Sequence, residues 1–99
     1  MKIKDSASLQ GLQIEMRPVL IAADAIWKKH GKELVVTSGT DGAHSAGSLH
    51  YYGLALDFRT RYFDAETKAL VAKELRNHLP SFYHVVDHDT HIHVECDPN

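Results

Sequence analysis

Two segments of this chain alternate strictly between apolar and polar residues, and that pattern constrains the fold more than any other. In the first, Leu54, Leu56 and Phe58 fall on one side and Ala55 and Asp57 on the other. In the second, Ile92, Val94 and Cys96 oppose His91, His93 and Glu95. A period of two is that of a β-strand with one buried face. Such strands need a cover for their apolar side, and in a chain of 99 residues the cover must come from the same domain, residues 1–99.

Two helices are predicted to supply it. Met16, Val19, Leu20, Ala23, Ile26 and Trp27 recur at helical spacing, so an amphipathic helix is expected from Met16 to His30, with Pro18 in its first turn and Gly31 as its stop. Asp64 is the expected N-cap of a second helix, Ala65 to about His78, with Ala69, Ala72, Leu75 and Leu79 on its apolar side and Pro80 ending it. Glu33 to Ser38 reads as a further strand, and Thr40 to Leu49 as a loop. Phe82 to about His88 and His91 to Cys96 read as a hairpin joined by Asp89-Thr90. The order α, β, β, α, β, β predicts an α+β fold: a small antiparallel sheet with two main helices packed on one face.

Composition removes several functional classes. Eleven Lys and Arg against thirteen Asp and Glu give a net charge of −2, which offers no positive field for a phosphate backbone, so nucleic acid is not an expected partner. The longest apolar run, Pro18 to Ala23, is far short of the roughly 20 residues of a membrane span. The first residues, Met1 to Asp5, carry no signal-peptide pattern, so synthesis in the cytoplasm is expected. One cysteine, Cys96, forms no internal disulfide and falls on an apolar strand face as a small hydrophobe. No assembly signature is visible, and a monomer is expected.

Eight histidines stand out, four of them between His84 and His93. Asp57 has the small neighbours Ala55 and Gly53 on its own face, which is expected to leave room for an ion or substrate. His50 lies seven residues before Asp57, an odd separation that would set the two on opposite faces of a continuous strand, so Gly53 is expected to break the phase. Two imidazoles and a carboxylate from separate segments, here His50, Asp57 and His93, are the ligand types of a zinc site whose fourth position is left for water. Each of the three, taken alone, also reads as an ordinary surface or capping group.

Ser48-Leu49-His50-Tyr51-Tyr52-Gly53-Leu54-Ala55-Leu56-Asp57 matches the pattern S-x-H-x-x-G-x-A-x-D position for position, and His91-Ile92-His93 matches a later H-x-H. Over roughly Leu34 to Asp97 the chain thereby resembles the M15 family of zinc peptidases, which includes D-alanyl-D-alanine carboxypeptidases and the L-alanyl-D-glutamate endopeptidase lysins of bacteriophages. The resemblance implies a Hedgehog/DD-peptidase-like fold, a Zn²⁺ cofactor and hydrolysis of a peptide bond in bacterial peptidoglycan stem peptides. It implies His50, Asp57 and His93 as metal ligands, His91 as an active-site residue outside the ligand set, and Ser48 as a supporting hydrogen-bonding group. A phage-type lysin acting on the cell wall once released is the expected context.

Two departures from the family pattern bear on catalysis. The acid that many members carry three residues before the last ligand is Thr90 here, so Asp89 is the first candidate for the base and Glu95 the second. The Arg that often follows a Ser-Gly-Tyr segment is absent from Ser38-Gly39-Thr40-Asp41, and Arg59 or Arg61 is expected to grip a substrate carboxylate instead. His44, His84, His88, Tyr51 and Tyr52 are weaker candidates for lining the cleft. Two other readings stay open: a zinc-binding module of the same fold without turnover, and an interaction protein whose histidines are incidental.

Overall fold

The alternating segments do pair with each other. A computed structural model describes residues 1–41, 48–50 and 52–97. In it β3 (Ala55–Arg59) runs antiparallel to β5 (His91–Cys96), with Leu56 opposite Val94 and Phe58 opposite Ile92. The hairpin partner β4 (Tyr83–Asp87) lies on the far side of β5, and β2 (Val35–Ser38) on the far side of β3. The sheet has five strands in the order β1-β2-β3-β5-β4. Its outer member β1 is only Lys2–Ile3 and runs parallel to β2, so the sheet is mixed rather than antiparallel as expected. Two residues are too few to show a period, and their pairing rests on bonds to distant backbone: Lys2 N–H donates to Leu34 O at 2.8 Å and Lys4 N–H to Val36 O at 2.9 Å.

Both helices cover one face. A 3-10 turn, Ile14–Met16, leads into α1 (Arg17–Lys29), which is entered through Pro18 and closed at Gly31, whose φ of +74° is the left-handed stop expected there. Asp64 caps α2 (Ala65–His78) by accepting the Thr67 N–H at 2.7 Å. The buried stripe of α2 is Val71, Ala72 and Leu75, continued by Leu79; Ala69, expected on that side, is exposed, because turning the helix toward Val71 buries more apolar surface than turning it toward an alanine.

Val19, Ala23, Ile26 and Trp27 of α1 join that stripe and the inward residues Val36, Leu56, Phe58, Val85, Ile92, Val94 and Cys96 in one core. Trp27 stands edge-on to Phe58 at 5.7 Å, and its indole N–H donates to Arg59 O at 3.0 Å. Burying each large side chain of this kind contributes about 1.5–3 kcal/mol. Glu74 of α2 then ties the helices together, accepting from Lys29 at 2.6 Å and meeting His30 at 2.5 Å. Among the described residues no helix lies on the opposite face of the sheet, and it is there that the polar half of each alternating strand projects.

Candidate metal centre

Strand register alone brings two of the three predicted ligands together. Asp57 of β3 lies directly opposite His93 of β5, and an irregularity between Val36 and Ser38 of β2 sets Ser38 opposite Asp57 on the other side. The third ligand arrives by the phase break expected at Gly53. That residue adopts φ +73°, and its N–H donates to His50 O at 3.1 Å in a tight turn. The space expected beside it is taken: a Cβ on Gly53 would stand 2.4 Å from Gly11 O, so the backbone of the N-terminal segment packs there. Ala55 is fully buried as well. The turn delivers His50, 5% exposed, onto the polar face of β3.

His50 Nε2 lies 3.2 Å from Asp57 Oδ1 and 3.2 Å from His93 Nδ1, and His93 Nδ1 lies 2.8 Å from Asp57 Oδ1. A tetrahedral site with bonds of about 2.0–2.1 Å needs ligand atoms roughly 3.3 Å apart, so the triangle has the right size. The group His50, Asp57 and His93 can hold a metal ion.

The protonation of the rings points the same way. His50 Nδ1 sits 2.9 Å from Gly39 O, which can only accept, so Nδ1 carries the proton and Nε2 turns a lone pair inward. His93 Nε2 sits 2.8 Å from Glu95 Oε1, which likewise takes an N–H and leaves Nδ1 facing the centre. Two lone pairs and a carboxylate oxygen then face one another, an arrangement that requires a cation, either a metal or a proton on His93. Accordingly the His93 pKa is raised, chiefly by its bond to Asp57 against the opposing effect of burial, with Glu95 adding to the rise. Burial pushes the Asp57 pKa up, but the close contacts with the His50 and His93 rings outweigh it and hold the carboxyl well below the ordinary range. Both shifts are those of groups that stabilise positive charge between them.

The remaining candidates divide by position. His91 faces the same side as His93, with Nε2 3.9 Å from Asp57 Oδ1 and Nδ1 3.2 Å from Thr90 Oγ1; burial lowers its pKa, against the pull of Asp57. Ser48 Oγ accepts the His50 N–H at 3.2 Å, so its contact is with the ligand's own backbone. Glu95, a candidate base, is engaged with His93. Asp89 is exposed on the β4–β5 connection, and no hydrogen bond or ion pair among the described residues ties it to the cluster. His88 stacks near His91 with ring centres 4.7 Å apart, whereas His84 is exposed. Tyr52 is exposed, and Cys96 is buried as expected. His44 and Tyr51 lie outside the described residues.

Beside the cluster runs an open groove of about 420 Å³ lined by Asp57, His91, Thr90, Thr37 and Ser38, with Arg59, Arg61 and Lys4 along it. Lys4 escapes a reading of the sequence because nothing local shows that the N-terminal segment reaches the site. No helix among the described residues is long and apolar enough to cross a membrane. No protein-family model matches the sequence, and neither does any curated protein.

Proposed function

We propose that this protein is a zinc-dependent peptidase that hydrolyses a peptide bond in bacterial peptidoglycan stem peptides, as a phage-type lysin or a D-alanyl-D-alanine carboxypeptidase. The observation that carries this reading is the meeting of His50 Nε2, Asp57 Oδ1 and His93 Nδ1 beside an open groove, at the three positions that the sequence pattern marks. Zn²⁺ held there would supply Lewis acidity toward a peptide carbonyl and bring the pKa of water toward about 7. His91, kept neutral by its lowered pKa, has an N–H to offer the carbonyl oxygen as negative charge develops. Asp89, on the turn leading into β5, takes the proton of the attacking water and passes it to the leaving amine. Arg59 grips a carboxylate of the stem peptide along the groove, and Ser48 steadies the segment that carries His50.

The test is mass spectrometry of a defined stem peptide incubated with the zinc-loaded protein. Cleavage that a chelator abolishes and zinc restores is expected, and Asp89→Ala should slow it more than Glu95→Ala. Stoichiometric zinc without cleavage would instead favour a zinc-binding module lacking turnover, for which Thr90 and the exposed position of Asp89 speak. Less than about half an equivalent of zinc in protein prepared without a histidine tag would overturn the metal reading itself.

A further inference from the structure

We infer that Asp41 is a positioning residue for the metal centre, setting the tautomer and direction of His50 through the backbone of Gly39; this rests on the reading of the cluster as a metal site. The Asp41 carboxylate accepts the Gly39 N–H at 2.7 Å and the Ser8 N–H at 3.1 Å through one oxygen, while the other meets Ser38 Oγ at 3.5 Å. Across the Gly39 Cα, the carbonyl of the next peptide, Gly39–Thr40, faces His50 Nδ1 at 2.9 Å. A route of two hydrogen bonds therefore runs from a carboxylate, through the backbone of the single residue Gly39, to the back of a metal-facing imidazole.

Gly39 is held on both sides of its Cα, by Asp41 at its N–H and by the bonds of Thr40 at the Gly39–Thr40 peptide that carries the carbonyl. Thr40 N–H donates to Ser8 O at 2.8 Å and Thr40 Oγ1 to Gln10 O at 2.6 Å, clamping the chain just beyond Gly39 to the N-terminal segment. A Cβ at Gly39 would lie 2.4 Å from Ser8 O and 2.9 Å from Leu9 Cδ2, so only glycine permits this approach. Asp41 closes the arrangement by taking one N–H from each of the two clamped strands of chain. With Asp41 in place the Gly39 carbonyl keeps aiming at Nδ1, the ring keeps its proton there, and Nε2 keeps its lone pair toward Asp57 and His93. The residue also stands after Ser38-Gly39-Thr40, at the place where members of the family that the sequence resembles often carry an arginine.

Zinc affinity by chelator competition, together with ¹⁵N NMR of the histidine rings in metal-free protein, tests this. Asp41→Ala is expected to weaken zinc binding about 10–100-fold and to let His50 populate the other tautomer. Asp41→Asn, which keeps an oxygen for both N–H groups, is expected to stay within about threefold of the natural protein. Unchanged affinity in Asp41→Ala, or a loss in Asp41→Asn as large as in Asp41→Ala, would overturn the inference. Should Asp41→Ala fail to fold, the natural protein decides: His50 protonated at Nδ1 and a slowly exchanging Gly39 amide are expected, and an Nε2-protonated ring overturns it. A natural protein that bound no zinc would sink the metal reading, while the tautomer and amide exchange would still decide the role of Asp41.

Discussion

Phe58 and Asp57 are neighbours in β3, and so are Ile92 and His93 in β5, yet each pair is divided between two faces with opposite physics. On the helix side Leu56, Phe58, Ile92 and Val94 have no exposed surface and belong to the apolar core. On the other side Asp57 and His93 confront each other at 2.8 Å with His50 at 3.2 Å from both. The first face stabilises the chain by removing hydrocarbon from water, which neither acid nor metal alters much. The second gathers acceptors that repel unless a proton or a cation lies among them, so its contribution depends on what the solution provides. The lesson is that the packed face holds the polar one together in a geometry it would not adopt unaided.

The comparison breaks most visibly at Phe58. Phe58→Ala should cost about 3–5 kcal/mol, and with roughly 4–8 °C per kcal/mol for a domain of this size the melting temperature should fall by at least about 12 °C, equally with and without zinc. A loss confined to the zinc-loaded form would mean that the two faces are not separable. Asp57→Ala, one residue away, should leave the far-ultraviolet circular dichroism unchanged while weakening zinc binding by more than about 100-fold in a chelator titration. Retained affinity there would remove Asp57 from the ligand set.

The pH dependence sharpens the contrast. In metal-free protein the raised pKa of His93 makes its contribution fully present below the unfolded value of 6.5 and lost as pH rises through the folded value. The lowered pKa of Asp57 makes its contribution present above the unfolded value of 3.8 and lost as pH falls through the folded value. Zinc needs the imidazoles deprotonated, so it gains as the protonated cluster weakens. At zinc one hundred times its Kd the added stability should approach about 2.7 kcal/mol, and calorimetry should show the gap between zinc-loaded and metal-free melting temperatures widening from about pH 5.5 to 8. A gap that narrows over that range would contradict the lone-pair argument. The smallest expected effect is at Asp64, whose replacement by Ala should lower the melting temperature slightly by removing the cap of α2, with no change in zinc affinity.

What could be read from the sequence follows from how local each signal is. The span of α2 is legible because Asp64 and Pro80 punctuate it within the same stretch, and β5 because six residues alternate without a break. The strand β1 is not, since Lys2–Ile3 is defined only by its partner β2, and the irregularity between Val36 and Ser38 exists only in the pairing. The helix face was partly misread at Ala69 because both it and Val71 fit a helical period, and only packing against the sheet selects Val71. At the site the residue types and their phase were visible in His50, Gly53, Asp57 and His93. The engagement of Glu95 with His93 was not, because it depends on which ring nitrogen turns inward.

One further consequence lies in the fact that Asp57 and His93 occupy facing rungs of the β3–β5 ladder. A slip of that ladder by a single residue would send the carboxylate toward the tryptophan side and strand the imidazole without its counterpart. An ion captured during refolding would therefore act as a proofreader of strand alignment, so the fraction of molecules able to take up metal becomes a direct count of correctly threaded chains.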